Sequence, residues 1–311
     1  MLPILFTIGS WPVSSFGLFL VAALFAASFV IWRLTKVYDF DGEQVIDIIL
    51  LTFFGALIFA RIYFIVTHPS LFEENGFLKM ILINRYPGLS FWGGFIGGMI
   101  SLIFVVRNFK LNFWQIADFA TVGLLLGLSI GSLGCFLGGC QVGLPSDLPI
   151  AVKMVGSLNK RFPIQIFESL SFFCLFMILW RSTIRYHILG TALALGLVIL
   201  GSVKFFFEFF VSDTLKLYSF ITLGHILSMI SITIGVRFYY QVTKRLILKD
   251  LKAFFDAVRN SKSRRLMLLK LIKWWYNLKV NLARYNFRVL LSSWSRRFKR
   301  RLNIRSTPKE F

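Results

Sequence analysis

Long apolar runs separated by short polar intervals occupy the first 240 residues. Seven of them approach the roughly 20 residues a helix needs to cross hydrocarbon. They cover about 13–35, 45–67, 88–107, 113–136, 164–182, 188–210 and 219–240. Lys and Arg in the short intervals set the orientation. Arg33 and Lys36 follow the first run, Arg107 and Lys110 the third, Arg181 and Arg185 the fifth, and Arg237, Lys244 and Arg245 the seventh. These ends share one side, which the positive-inside rule makes cytoplasmic. The pattern predicts an all-α integral membrane protein with seven transmembrane helices, N-terminus outside and C-terminus cytoplasmic. The intervals 68–87, 137–163 and 211–218 then face outward.

Composition agrees with that pattern. The 311 residues are 57% hydrophobic and 16% charged, too much apolar surface for a soluble domain of this size to bury. No charged side chain precedes Arg33, so a cleavable signal peptide is not expected. Charge divides the chain into 1–241, a membrane domain, and 242–311, a basic-aromatic tail. The tail holds 20 Lys+Arg against 3 Asp+Glu. Its runs, LMLLKLIKWWYNLKVNLARYNFRVLL and SRRFKRRLNIR, read as helices on the membrane surface, rings inserted and cations on anionic inner-leaflet lipids. Nucleic acid binding also interleaves cations with aromatics, but adjacency to a membrane favours lipid, and no specific nucleic acid is expected.

Polar residues inside the runs change the picture from membrane protein to candidate site. An ionisable residue within a span costs roughly 2.5–3.5 kcal/mol on insertion scales and usually faces a partner or a wet cavity. Arg61 lies in FGALIFARIYFIV, Asp118 in NFWQIADFATVG, Gln165 and Glu168 in RFPIQIFESL, and Lys204 and Glu208 in GSVKFFFEFF. Each has a plainer reading. Asp118 can cap a helix or sit at the inner interface, Arg61 can extend along the apolar wall, and Lys204 and Glu208, spaced i,i+4, can pair with each other. Yet Arg61, Gln165, Glu168, Lys204 and Glu208 all fall in the outer halves of their runs. Together they can line a polar cavity whose two cations suit a phosphate.

The stretch GSLGCFLGGCQVG at 131–143 raises a separate question. Gly123, Gly127, Gly131, Gly134 and Gly138 form one helical stripe, and Gly93, Gly94, Gly97 and Gly98 open the third run. Small residues so spaced admit another backbone, and the two glycine faces are expected to cross each other. Cys135 and Cys140 lack zinc-site spacing and a nearby His. Free thiols are expected there, with a disulfide on an oxidising outer face as the alternative.

In these motifs the chain resembles the bacterial prolipoprotein diacylglyceryl transferases. The matches are ARIYF at 60–64, GLSFWGGFIGG at 88–98, QIADF at 115–119, GSLGCFLGGCQVG at 131–143, FPIQIFE at 162–168, KFFFEFF at 204–210 and GHILS at 224–228. They fall in family order over about residues 10–240 and exclude the tail. The resemblance implies a seven-span enzyme of the bacterial cytoplasmic (inner) membrane without metal or cofactor. Such an enzyme moves the diacylglyceryl group of phosphatidylglycerol to the lipobox cysteine thiol carried by prolipoprotein signal peptides. It releases glycerol phosphate and forms a thioether.

Carried over position by position, Lys204, Glu208 and Glu168 become the catalytic candidates, with Glu208 orienting Lys204. Arg61, Ser132, Gln165 and Lys204 become the phosphatidylglycerol-binding candidates. Gly93, Gly94, Gly131, Gly134, Gly143 and Asp118 form the frame. The departures fall where the chemistry would be. Ser132 stands at the family's signature Arg, Cys135 at an Asn, Trp92 at a His of the third-span motif and Phe16 at a Tyr. Lys204 stands at an Arg, and Phe162 at a His. No general base is evident, with water, Glu168 and His225 as candidates. An alternative function is a catalytically weakened or inactive relative that binds phospholipid or lipoprotein precursors.

Overall fold

The computed structural model describes residues 4–9, 11–69, 72, 88–154, 158–184, 188–212, 216–218, 221–248, 250, 252, 269 and 272. Seven long helices make up the described body: α1 Ser15–Val37, α2 Gly42–Thr67, α3 Phe91–Asn108, α4 Phe113–Gly138, α5 Ile164–Ile184, α6 Thr191–Glu208 and α7 Leu223–Thr243. Six of them, α1 to α6, are long and apolar enough to cross a membrane. Large apolar side chains such as Phe25, Phe29, Phe54, Ile58 and Phe104 are exposed along them. A soluble surface does not carry so much contiguous apolar area, so the chain is a multi-pass membrane protein. The chain divides after Lys244, three residues past the expected boundary. Nearly all of the basic tail, with its proposed surface helices, lies outside the described residues.

Local chemistry explains where the helices begin. Ser14, Asp41, Ser90, Asn112 and Thr222 each accept a first-turn backbone N–H of the helix that follows. Three small antiparallel hairpins lie outside the helices: β1 Ile4–Ile8 with β2 Trp11–Ser14, β3 Val152–Lys153 with β4 Lys160–Arg161, and β5 Lys216–Tyr218 with β6 Ile221–Thr222; the first and last take the opening residues of the runs expected at 13–35 and 219–240.

The glycine faces pack differently from expectation. They do not meet each other. The α4 stripe lies on α1, where Gly123 faces Ile31, Gly134 faces Phe19 and Gly138 faces Phe16. The α3 face lies on α2, where Gly93 faces Tyr63 and Gly97 faces Phe59. Each glycine face admits its neighbour's backbone as well as side chains: a Cβ at Gly93 would meet Phe59 O and one at Gly123 would meet Ala27 O. Gly131 departs from the stripe altogether, since a Cβ there would meet nothing within 4 Å.

Asp118 is fully buried in α4 and caps a neighbouring helix. Its Oδ2 accepts from Gly190 N and its Oδ1 from Leu193 N, both at 2.7 Å, at the start of α6. Gly190, the N-cap residue, has φ +87°, which a side chain rarely tolerates, and it offers no capping group of its own. The carboxylate also places negative charge at the positive end of the helix dipole. Asp118→Ala leaves two buried N–H groups without this acceptor, each costing about 1–3 kcal/mol. It should lower the thermal unfolding midpoint in detergent, while Asp118→Asn retains part of the loss. An unchanged midpoint for the alanine variant would show that the cap contributes nothing.

Candidate functional site

Chain alternation brings the ends of α2, α4 and α6 beside the starts of α3, α5 and α7, and the singled-out side chains other than Asp118 lie at this end. Lys204, one turn before the end of α6, is buried. Its Nζ donates to both oxygens of Glu168 on α5, at 2.9 and 3.1 Å, and lies 4.4 Å from the centre of the Phe91 ring at the start of α3. Glu168 is only 2% exposed. Lys204 therefore pairs across helices and not with Glu208 one turn along, which corrects the expected role of Glu208. On one helix the two heads would share a face at the membrane end, whereas Glu168 offers a carboxylate buried beside the amine.

Glu208 turns the other way. Its Oε1 accepts from Thr222 Oγ1 at 2.8 Å, at the N-cap of α7. Gly224 makes room for it, because a Cβ there would collide with the Glu208 carboxylate. Arg61 is buried near the end of α2. Its Nη1 donates to Gly88 O at 2.9 Å, just before α3, and its guanidinium carbon lies 5.4 Å from the centre of the Phe72 ring. Arg61 and Lys204 thus meet the same short stretch, Gly88 to Phe91, from two sides.

Gln165 is fully buried at the start of α5. Its Nε2 donates to Cys140 O at 2.6 Å and Gln141 O at 2.9 Å, anchoring the turn that ends α4. Its buried Oε1 has no hydrogen-bond partner among the described residues. Gly139 closes α4 with φ +78°, a left-handed cap that glycine adopts without steric cost. Cys135 and Cys140 are joined across this turn as a disulfide, which corrects the expectation of free thiols. The cap folds the chain back and brings the two Cα atoms to 5.1 Å, a reversal that spacing alone did not reveal.

Beyond the disulfide the chain is clamped as an extended segment. Leu144 N donates to Phe210 O at 2.9 Å, Ser212 N to Val142 O at 2.9 Å, and Phe162 N to Leu144 O at 3.0 Å. Gly143 lies so close to the Phe162 carbonyl that no Cβ would fit. The ends of α4 and α6 and the start of α5 are tied together by this segment. Ser132 is half-buried in the last two turns of α4.

Below this end, an apolar cavity of about 210 Å³ bounded by α1, α2, α3, α4 and α6 runs from Ala56, Phe95 and Leu200 inward to Val45, Ile116 and Leu193, near the opposite ends of their helices. Ala56, Phe95 and Leu200 stand one turn below Arg61, Phe91 and Lys204 on the same helices. Charged heads at a membrane edge over an apolar recess suit an amphiphile with a phosphate and acyl chains.

The family model described as prolipoprotein diacylglyceryl transferase matches residues 3–241. The chain belongs to the prolipoprotein diacylglyceryl transferase family. A phosphatidylglycerol–prolipoprotein diacylglyceryl transferase of Thermosynechococcus vestitus is 26% identical over 241 residues, covering 73% of this chain and 88% of the relative. Proteins of the same name from Francisella tularensis subsp. holarctica and subsp. novicida are each 28% identical over 244 residues, covering 75% of this chain and 90% of each relative. The match stops where the basic tail begins.

Two participants were missed in the sequence reading. Phe91, against which Lys204 rests, is one of 36 phenylalanines and carries no signal of its own. Thr222 did have one: it stands three residues before His225 at the start of an apolar run, the spacing of a capping pair.

Proposed function

We propose that the protein transfers the diacylglyceryl group of phosphatidylglycerol to the lipobox cysteine thiol of prolipoproteins, releasing glycerol phosphate. Its setting is the bacterial cytoplasmic membrane, crossed seven times, with the N-terminus outside and the C-terminus in the cytoplasm. The carrying observation is the buried pair of Lys204 and Glu168, one turn above an apolar cavity, with Arg61 reaching the same Gly88–Phe91 stretch. In this reading Arg61 and Lys204 hold the headgroup phosphate, and their charge stabilises the departing phosphate. The unpartnered Oε1 of Gln165 accepts from a headgroup glycerol hydroxyl, and Ser132 lines the same pocket. The acyl chains enter the cavity bounded by α1, α2, α3, α4 and α6. The basic tail binds anionic lipids of the inner leaflet.

The test supplies phosphatidylglycerol and a lipobox peptide to the purified protein and follows thioether-linked diacylglyceryl by mass. Product that depends on the peptide cysteine supports transfer. Arg61→Ala should weaken phosphatidylglycerol binding; unchanged binding would remove Arg61 from the site.

One observation favours a second reading, a weakened relative that binds phospholipid or lipoprotein precursors. The positive charge of Lys204 is matched by Glu168, and Ser132 adds none where the family's signature Arg would stand. In the same assay, bound phosphatidylglycerol without product would support this reading over transfer.

A further inference from the structure

The segment between α4 and α5 leaves the bundle at Gly139 and returns at Ile164, so both of its ends lie at the end that carries Arg61 and Lys204. Its small hairpin, β3 with β4, is anchored. Met154 is buried, and Arg161 Nη1 donates to Gly143 O at 3.2 Å. The second edge of β4 is taken by residues 144–146, where Ser146 N donates to Lys160 O at 3.1 Å and Phe162 N to Leu144 O at 3.0 Å. Through Gly143 and Leu144 the same strip pairs with Val211 and Phe210, just past the end of α6.

Two lysines leave this hairpin together. Lys153 and Lys160 are direct register partners, so their side chains share one face, and both are exposed. Among the described residues, neither ammonium has a hydrogen-bond or ion-pair partner. Like charges directly opposite each other destabilise a strand pair. The fold therefore holds two cations together at a cost that a shared anion would remove. Residues 144–161 hold three cations, Lys153, Lys160 and Arg161, against one carboxylate, Asp147. The same segment exposes Leu148, Ile150 and Leu158, the last at 99%. Cations alternating with bare apolar side chains fit the headgroup layer of a bilayer, where an ammonium meets phosphate and a leucine meets acyl carbon. A free phosphate would use the lysines and leave the apolar side chains in water.

We propose that residues 144–154 and 158–161 form a docking surface for phosphatidylglycerol of the leaflet at this end of the bundle. Lys153 and Lys160 share the phosphate of one lipid, and Leu148, Ile150 and Leu158 enter the acyl boundary. The identity of the lipid rests on the transfer reading above. A diester phosphate carries one negative charge on two free oxygens, one for each ammonium. The backbone pairing with Phe210 and Val211 places this surface beside the end of α6, so a lipid held here stands next to the cluster that would turn it over.

The test uses the full chain in phosphatidylcholine nanodiscs that carry a phosphatidylglycerol probe with a photoreactive headgroup, and no peptide. Cross-links are mapped by mass. Labels on 148–154 and 158–161 are expected, falling about fivefold for each lysine replaced in Lys153→Gln and Lys160→Gln. Added salt should weaken the wild-type signal by screening, and Lys153→Arg with Lys160→Arg should keep it. Equal labelling of the wild type and the double glutamine variant, or equal labelling by a phosphatidylcholine probe, would overturn the proposal. Displacement of the probe by inorganic phosphate, against chloride at the same ionic strength, would indicate a free-anion site and overturn the lipid assignment. Should the glutamine variants fail to fold, an arginine pair that loses the label, or a wild-type label indifferent to salt, would overturn it as well. The label is read without peptide, so it decides docking whether or not product forms. A wild type labelled here that makes no thioether product would overturn transfer and leave the docking surface standing.

Discussion

Lys204→Met should be the most damaging single substitution in the helical body. It leaves the Glu168 carboxylate buried without its cation, and breaking one side of a buried pair typically costs about 3–5 kcal/mol. Both Glu168 oxygens receive Lys204 in the native fold, and Glu168 is only 2% exposed, so water cannot readily replace the amine. The variant should unfold at a clearly lower temperature in detergent. Lys204→Met combined with Glu168→Gln removes both charges and should recover much of that loss, because desolvating the pair offsets most of its attraction. The double variant should still bind phosphatidylglycerol more weakly than the wild type, since the phosphate has lost one of its two cations. Lys204→Arg should keep stability and binding. A single variant as stable as the wild type would show that the pair is hydrated in the membrane. A double variant that binds lipid normally would remove Lys204 from the phosphate site.

Ser132→Arg should raise transfer. The resemblance places an arginine at this position, and a charged donor facing a developing phosphate charge compares with an oxyanion-hole group, worth about 10²–10³ in rate. The charge of Lys204 is matched by Glu168, which leaves Arg61 as the main cation of this cluster for an anion. An arginine at 132 adds another, with a forked head that can hold two phosphate oxygens. The neighbouring position has room, since nothing lies within 4 Å of a Cβ at Gly131. The readout is thioether product per unit time at saturating phosphatidylglycerol. A rise in rate would mean that the site is complete except for this charge. No rise, with the lipid still bound, would favour the binding reading.

Much of the architecture was legible along the chain because a helix in hydrocarbon must satisfy its own backbone hydrogen bonds. Hydropathy therefore located the seven helices closely, as Phe113–Gly138 against an expected 113–136 illustrates. The same cost of burying charge marked Arg61, Glu168 and Lys204 before any geometry was available. The partners of those charges were not legible. Lys204 has a carboxylate four residues away on its own helix and bonds one 36 residues away on another. Glu208 serves Thr222, which no hydropathy pattern distinguishes. Gly131 and Gly134 read alike in the stripe, yet Phe19 fills the space at one and nothing fills the other. The cysteines depended on a single left-handed cap at Gly139.

By itself the sequence determined the membrane character of the body, the helix positions, the end that gathers the charged residues and, through its ordered motifs, the resemblance to the family. These follow from local composition, since apolar length and the burial cost of charge act residue by residue. Tertiary structure decided which helices share a glycine groove, that Lys204 joins Glu168, and that Glu208, Thr222 and His225 are linked by hydrogen bonds. Such pairings depend on angles and distances between helices far apart in sequence, and spacing along one helix carries no record of them.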